Sequence, residues 1–375
     1  MKRYTLLISA LLAASPAYAD HPAGHKVKAQ LGSSAAFDRH GVLWLVGRGD
    51  HGQLELRQSS DQGQRWSAAQ TITHEQVLAA GDERPRIAFG LHDEIYITYS
   101  RPLDKPYTSE VRFVRSADGG QHFSAPMTVH SDRQVITHGF ASLAVDADGR
   151  VYVTWIDKRD LQSARDSGVD YSAAAQYYAV SSDGGISFGS DNKIADHGCE
   201  CCRSAIALQD GRPVLMWRQL FNGNIRDHAV AELQADGQPP AIQRATFDNW
   251  ALDACPHQGP SLTFSADGSR HQTWFTGEGL FYAGPSGTPV KLGNEQASNA
   301  DVAVSGQQVQ VVWKEFDGSA THIKAISSRD GGATWQARTL ASTGGASGQP
   351  RLAKDGARIY LVWSTEADSV LTVAL

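Results

Sequence analysis

Apolar and polar residues alternate in short runs along most of this 375-residue chain, and the runs come in pairs. Most pairs open on a small or turn-forming residue. An alternating run follows, an Asp/Gly turn reverses the chain, and a second alternating run ends, in most pairs, on an aromatic residue. Seven such pairs occur: Ser34 to Val46, Pro85 to Tyr99, Ser142 to Trp155, Ser204 to Trp217, Ser261 to Trp274, Asp301 to Trp313 and Arg351 to Trp363. Period-two alternation bounded by turn formers predicts β-hairpins. No segment of useful length shows a helical period, so the expected class is all-β.

A second repeat, Ser-x-Asp-x-Gly-x-x-aromatic, falls between hairpins. It occurs from Ser59 to Trp66, Ser116 to Phe123, Ser181 to Phe188 and Ser328 to Trp335. Its chemistry is that of a turn: the Asp carboxylate accepts nearby backbone amides, and Gly supplies positive φ. A hairpin followed by strand, box and strand makes a four-stranded antiparallel blade. The box resembles the Asp-box (BNR) repeat of the sialidase-like β-propeller superfamily, where it is a turn between the third and fourth strands of a blade. The resemblance implies a β-propeller, and the seven hairpins imply seven blades. Six, the number usual in sialidases, is the alternative. The last hairpin is followed only by Ser369–Val373, so His25–Ala29 is expected to supply the missing strand and close the ring with the C-terminus. The fourth and fifth blades lack a proper box; Gln234–Gly237 is a remnant.

The N-terminus changes the domain picture. Lys2 and Arg3, the apolar stretch Leu6–Ala14 and the Ala17-Tyr18-Ala19 cleavage pattern read as a secretory signal. The expectation is a signal peptide over residues 1–19 and a single propeller domain over 20–375, in a periplasmic setting. No later stretch approaches the ~20 apolar residues of a membrane-spanning helix. Loss of Lys2 and Arg3 takes the net charge from −6 to −8, which argues against a nucleic-acid partner.

Three of the four cysteines crowd into His197-Gly198-Cys199-Glu200-Cys201-Cys202-Arg203, and the fourth lies in Asp253-Ala254-Cys255-Pro256-His257. Each segment leads into the first strand of a blade. In a propeller such loops share a face with the loops that follow each second strand, at the mouth of the central channel. Thr137-His138-Gly139 leads into blade three and is expected on that face too. Four cysteines allow three pairings, and each places one bridge within Cys199–Cys202. Cys199–Cys202 is the one comfortable short bridge, and it leaves Cys201 for Cys255. A bridge over so short a loop adds little stability.

The competing reading is a metal centre. Cys199, Cys201, Cys202 and Cys255 offer sulfur, and His257, His197 and His138 offer nitrogen. Soft ligands of this kind select copper as Cu(I), with zinc as the alternative. Asn224, Arg226 and Asp227 are expected to orient the ligands from behind and offset thiolate charge. A third reading follows from the resemblance: an enzyme acting on acidic sugars. The superfamily's sialidases grip a substrate carboxylate with three arginines, and Arg84, Arg203 and Arg351 sit near the starts of inner strands. Glu278, Asp157 and Tyr282 would then supply acid, base and nucleophile. The chain lacks the Phe/Tyr-Arg-Ile-Pro start of true sialidases. The Cys-Glu-Cys-Cys-Arg, Gly223–Asp227 and Trp250–Pro260 runs resemble instead a Cys-rich bacterial subgroup. A recognition propeller without catalysis, binding a small molecule or glycan, completes the set of expected functions.

Overall fold

The computed structural model describes residues 29–375. Each hairpin found in the alternation is present, and every paired strand is antiparallel to its neighbour in sequence. Six sheets of four strands and one of three make seven blades. The innermost strands are Ser34–Phe37, Arg86–Phe89, His138–Val145, Ala205–Gln209, Ser261–Phe264, Ala297–Ser305 and Arg351–Asp355. Each lies against the innermost strands of two neighbouring blades, the first against the seventh, so the ring is closed with seven members. The seventh blade shows three strands, Arg351–Asp355, Arg358–Thr365 and Ser369–Ala374. The expected signal segment and the strand expected from His25 onward, apart from Ala29, lie outside the described residues.

The core sits between blades rather than in one central mass. Trp155, Trp217 and Trp363 lie near the ends of second strands and are essentially inaccessible to solvent. Trp155 packs with Tyr96 and Phe113 of the preceding blade. Burying aromatic and branched side chains on both faces of each sheet is what locks one blade against the next.

The four Ser-x-Asp-x-Gly segments are turns between third and fourth strands. In the first, Ser59 Oγ donates to Asp61 Oδ1 at 2.8 Å and accepts the Gly63 amide at 2.8 Å, while the Arg65 amide donates to Asp61 Oδ1 at 2.9 Å. The Ser-to-Asp and Gly-to-Ser bonds recur in the other three. The final glycine must also be small. At Gly185, φ is +78° and a Cβ would fall 2.9 Å from the Phe113 ring. Gly185→Ala is therefore expected to cost about 1–3 kcal/mol, from left-handed strain and overpacking. Urea unfolding measures it, and an unshifted midpoint would refute it.

One element departs from the all-β expectation. Arg159–Ser167, after the second strand of blade three, is an α-helix. Its signal was too small to read: only Leu161 and Ala164 are buried, one turn apart. Its N-terminus is held by Asp157, whose carboxylate accepts the Arg159 amide at 2.9 Å, and Gly168 ends it in the αL conformation. No helix among the described residues is long and apolar enough to cross a membrane.

Candidate functional site

The loops leading into blades two to five and those following the second strands of blades two to four surround one pocket of about 1350 Å3. Among the described residues, six of the eleven non-glycine residues with positive φ line it: Tyr107, Phe140, Ala173, His197, Asn224 and His257. Side chains other than glycine enter that region at a cost, and such residues concentrate at binding and catalytic sites.

The cysteine segment follows the last strand of blade three, Asn192–Gly198, and is tied to the second strand of blade four. The Cys199 amide donates to the Arg218 carbonyl at 2.9 Å, and the Leu220 amide to the His197 carbonyl at 2.8 Å. Arg218 is itself buried. Its guanidinium donates to the carbonyls of Arg226, Gln258 and Phe275 at 2.7, 3.1 and 2.7 Å and lies over the Trp250 ring. It thereby joins the loops on either side of the cysteines.

The four sulfurs meet. Cys199 Sγ is 3.9 Å from both Cys201 Sγ and Cys255 Sγ, and 2.6 Å from Cys202 Sγ. Cys201 and Cys255, 54 residues apart in sequence, are joined as a disulfide, and Cys199 and Cys202 are free and buried. One hydrogen bond shared with Cys202 draws the Cys199 thiol down to about 7 against the effect of burial, helped by the Cys201 amide and the charges of Arg218 and Arg226. Burial drives the Cys202 thiol well above its usual value.

His257 joins this group: a ring nitrogen lies within 4.8 Å of the sulfurs of Cys201 and Cys255. His197 lines the same pocket, but its Nδ1 faces the Ser172 carbonyl at 2.9 Å and its ring packs on Tyr171. His138, expected beside the sulfurs, is not in either group of metal-ligating side chains. Its strand turns the ring inward between blades, where it stacks on His130 at 3.9 Å beside Asp132 and Asp157. A bulge decides this: the pairing with the second strand shifts between Gly139 and Ser142, Phe140 takes a positive φ there, and Phe140, not His138, lines the pocket.

Two of the three residues expected to orient the ligands, Asn224 and Arg226, lie beside the cysteine loops. Asn224 Nδ2 and Arg226 Nε both donate to the Leu252 carbonyl, at 2.8 and 2.6 Å, and so pin the Cys255 loop. Asp227 instead points away from the pocket, paired with Arg244 and accepting the Asn249 amide at 3.1 Å.

Two acidic residues at the pocket floor escaped the sequence reading. Asp82 accepts the Arg203 amide at 3.2 Å and the Gly259 amide at 2.9 Å on one oxygen. Its other oxygen takes the Arg203 guanidinium at 2.9 Å and Gln349 at 2.6 Å. One buried carboxylate thus holds the ends of both cysteine loops. Gly259 permits the approach, since a Cβ there would sit 2.1 Å from the Arg203 carbonyl oxygen. Burial raises the Asp82 pKa, but Arg203 and the bonds from Gln349 and Arg203 outweigh it and hold the group ionised.

The neighbouring Glu83 goes the other way. Burial pushes it up from 4.5 to about 7, although Ser100 Oγ and the Phe140 amide donate to it at 2.6 and 3.0 Å. An acid that keeps its proton longer when folded loses stability as pH rises from about 4.5 to about 7. Glu83→Gln is expected to remove that slope, with an amplitude of about 3 kcal/mol. Denaturation at a series of pH values tests it, and a slope unchanged in the variant would refute it.

No known protein family and no curated protein matches the chain. Solved structures share its architecture. A polysaccharide lyase, an ulvan lyase bound to -[GlcA(1-4)Rha3S]-, is 10% identical, with 91% of each chain covered and a TM-score of 0.60. A protein of unknown function from Dyadobacter fermentans is 12% identical over 90% of each chain, with a TM-score of 0.54. An α-L-arabinanase from Penicillium chrysogenum, complexed with arabinobiose, is 12% identical over 76% of this chain and 88% of its own, with a TM-score of 0.52. At such identities the likeness is one of fold.

The groups that the sialidase resemblance singled out do not gather in the pocket. Arg84, Arg203 and Arg351 line a different cavity below it. Asp157 is fully buried against Arg159 and Trp155, at 2.6 and 2.7 Å. Tyr282 is buried between blades with its hydroxyl on His271 at 2.7 Å, and Glu278 lies on a turn of blade five.

Proposed function

We propose that this protein is an exported propeller that carries a soft transition-metal ion at the mouth of its channel, held by Cys199, Cys201, Cys202 and Cys255 with His257. One observation carries the reading: sulfurs from two loops converge on Cys199 with separations of 3.9 Å to Cys201 and to Cys255. A tetrahedral metal takes four ligands, and metal–sulfur bonds of about 2.3 Å give sulfur–sulfur edges of about 3.8 Å, so the two 3.9 Å separations suit a shared ion, while Cys202, 2.6 Å from Cys199, has to draw back to join it. The ion and the Cys201–Cys255 bond are alternatives for the same two sulfurs. Two electrons and two protons from a dithiol reductant convert the disulfide to two thiols, and release of protons from the cysteines leaves thiolates for the metal. Softness favours Cu(I), and Zn(II) is the competing occupant. Arg218 and Arg226 lie close enough to offset thiolate charge, and Asn224 and Arg226 keep the Cys255 loop in place.

The test is metal analysis of protein purified under reducing conditions, followed by titration with Cu(I) and Zn(II) against competing chelators. Saturable retention of at least one ion per chain is expected, with a matching loss of titratable thiols. No retention by reduced protein, with four thiols still free to react, would sink the reading.

A second reading rests on the pocket itself. At about 1350 Å3 it exceeds the roughly 300–1,000 Å3 typical of small-ligand sites, and it has room for several sugar units. Tyr107, 95% exposed on its rim, and Phe221 offer faces for sugar rings. Similar propellers are bound to an acidic glycan fragment and to arabinobiose. On this reading the metal centre shapes one wall of a glycan-binding pocket. Calorimetry against acidic and neutral oligosaccharides should then show binding that Tyr107→Ala weakens about tenfold, as expected for loss of one stacking contact. Equal affinity in the variant, or no binding across the panel, would reject it.

A further inference from the structure

Below the floor of the mouth pocket lies a cavity of about 360 Å3 whose wall comes from the innermost strands of all seven blades. It shares no lining residue with the pocket above. Its charge is one-sided: Arg84, Arg86, Arg203, Arg351 and Lys354 line it, against the single carboxylate of Asp301.

The arginines are not equally provided for. Arg203 is matched by Asp82 at 2.9 Å and donates to the Ala300 carbonyl at 3.2 Å. Arg351 shares Asp301 at 3.4 Å, but its Nη1 has no partner. Arg84 is 3% exposed, and beyond one bond to Gln349 at 2.7 Å its Nε and Nη2 have none. Arg86 donates to the Ala141 carbonyl at 3.2 Å. Among the described residues neither Arg84 nor Arg86 forms an ion pair. A guanidinium does not escape burial by losing its proton, and buried charged donors without acceptors forfeit their hydration. Like charges from blades two, four and seven also repel across the same space. The molecule tolerates this if the missing negative charge is a bound ion.

We propose that the channel holds a resident inorganic oxyanion, phosphate or sulfate, gripped by Arg84 and Arg351 with Arg86 beside them. Several guanidinium forks converging from different blades suit an anion with acceptors in several directions. The cavity has room for such an ion and its bridging waters. The ion compensates the arginine cluster and ties the second blade to the seventh, across the first.

The experiment uses the intact protein. It is exchanged into a buffer free of phosphate and sulfate, denatured in acid, and the released anions are measured by ion chromatography. About one oxyanion per chain is expected. Protein stripped by prolonged dialysis should take up labelled phosphate or sulfate at one saturable site, and its melting temperature should rise with oxyanion concentration at constant ionic strength. Arg84→Gln should weaken uptake at least tenfold while leaving metal retention by the cysteines unchanged. Failure to release or take up any oxyanion would overturn the proposal, as would equal uptake by the variant or displacement by chloride at equal concentration. If Arg84→Gln does not fold, release and uptake by the native protein decide.

Discussion

Asp82→Ala is expected to cost about 3–5 kcal/mol, because it leaves the buried Arg203 guanidinium without its counter-charge. Stability is not its only effect. The same carboxylate accepts amides at the ends of both cysteine loops, so its loss unpins the loop of Cys201 from that of Cys255 whenever the two are not bonded. Metal retention and disulfide formation should both fall in the variant even at temperatures where it remains folded. Asp82→Asn retains the size and one acceptor oxygen and should fall between the two. Chemical denaturation with a thiol count on the folded protein measures both effects. A variant that lost stability but retained the cysteine geometry would show that Asp82 does not align the loops.

The cysteine variants should separate into two kinds. Cys255→Ser removes the link that closes a 54-residue separation, a loop whose closure is worth about 4 kcal/mol by chain entropy. The oxidised protein should lose up to that amount. Cys199→Ser leaves the Cys201–Cys255 bond intact and should leave the stability of the oxidised protein nearly unchanged. In reduced protein both should weaken metal binding by at least about 100-fold, since each removes a thiolate at the centre of the cluster. Equal metal affinity in Cys199→Ser and the native chain would exclude Cys199 as a ligand and overturn the centre drawn around it.

The hairpins were legible because strand alternation is a local property. One face of each strand must meet the next blade, so the pattern repeats wherever a blade repeats. The four Ser-x-Asp-x-Gly turns were legible for the same reason, since their hydrogen bonds stay within a few residues. The convergence of the two cysteine segments followed from their equivalent positions before inner strands. His138 occupies a comparable position, yet its ring turns in toward His130. Position in a loop does not say which way a side chain points once the strand begins. The helix Arg159–Ser167 was hidden because two buried residues are too few to show a period.

By itself the sequence determined the all-β class, the repeat of seven and the clustering of sulfur in two segments, since each depends on neighbours within a few residues. Only the tertiary structure decided that Asp82 clamps both cysteine loops, that Glu83 keeps its proton toward neutral pH and that four arginines crowd one channel. These depend on burial and on partners as much as 267 residues away. Charge and hydrogen-bond energies are set by what the closed ring brings within reach and what it shields from water, and neither distance is written along the chain.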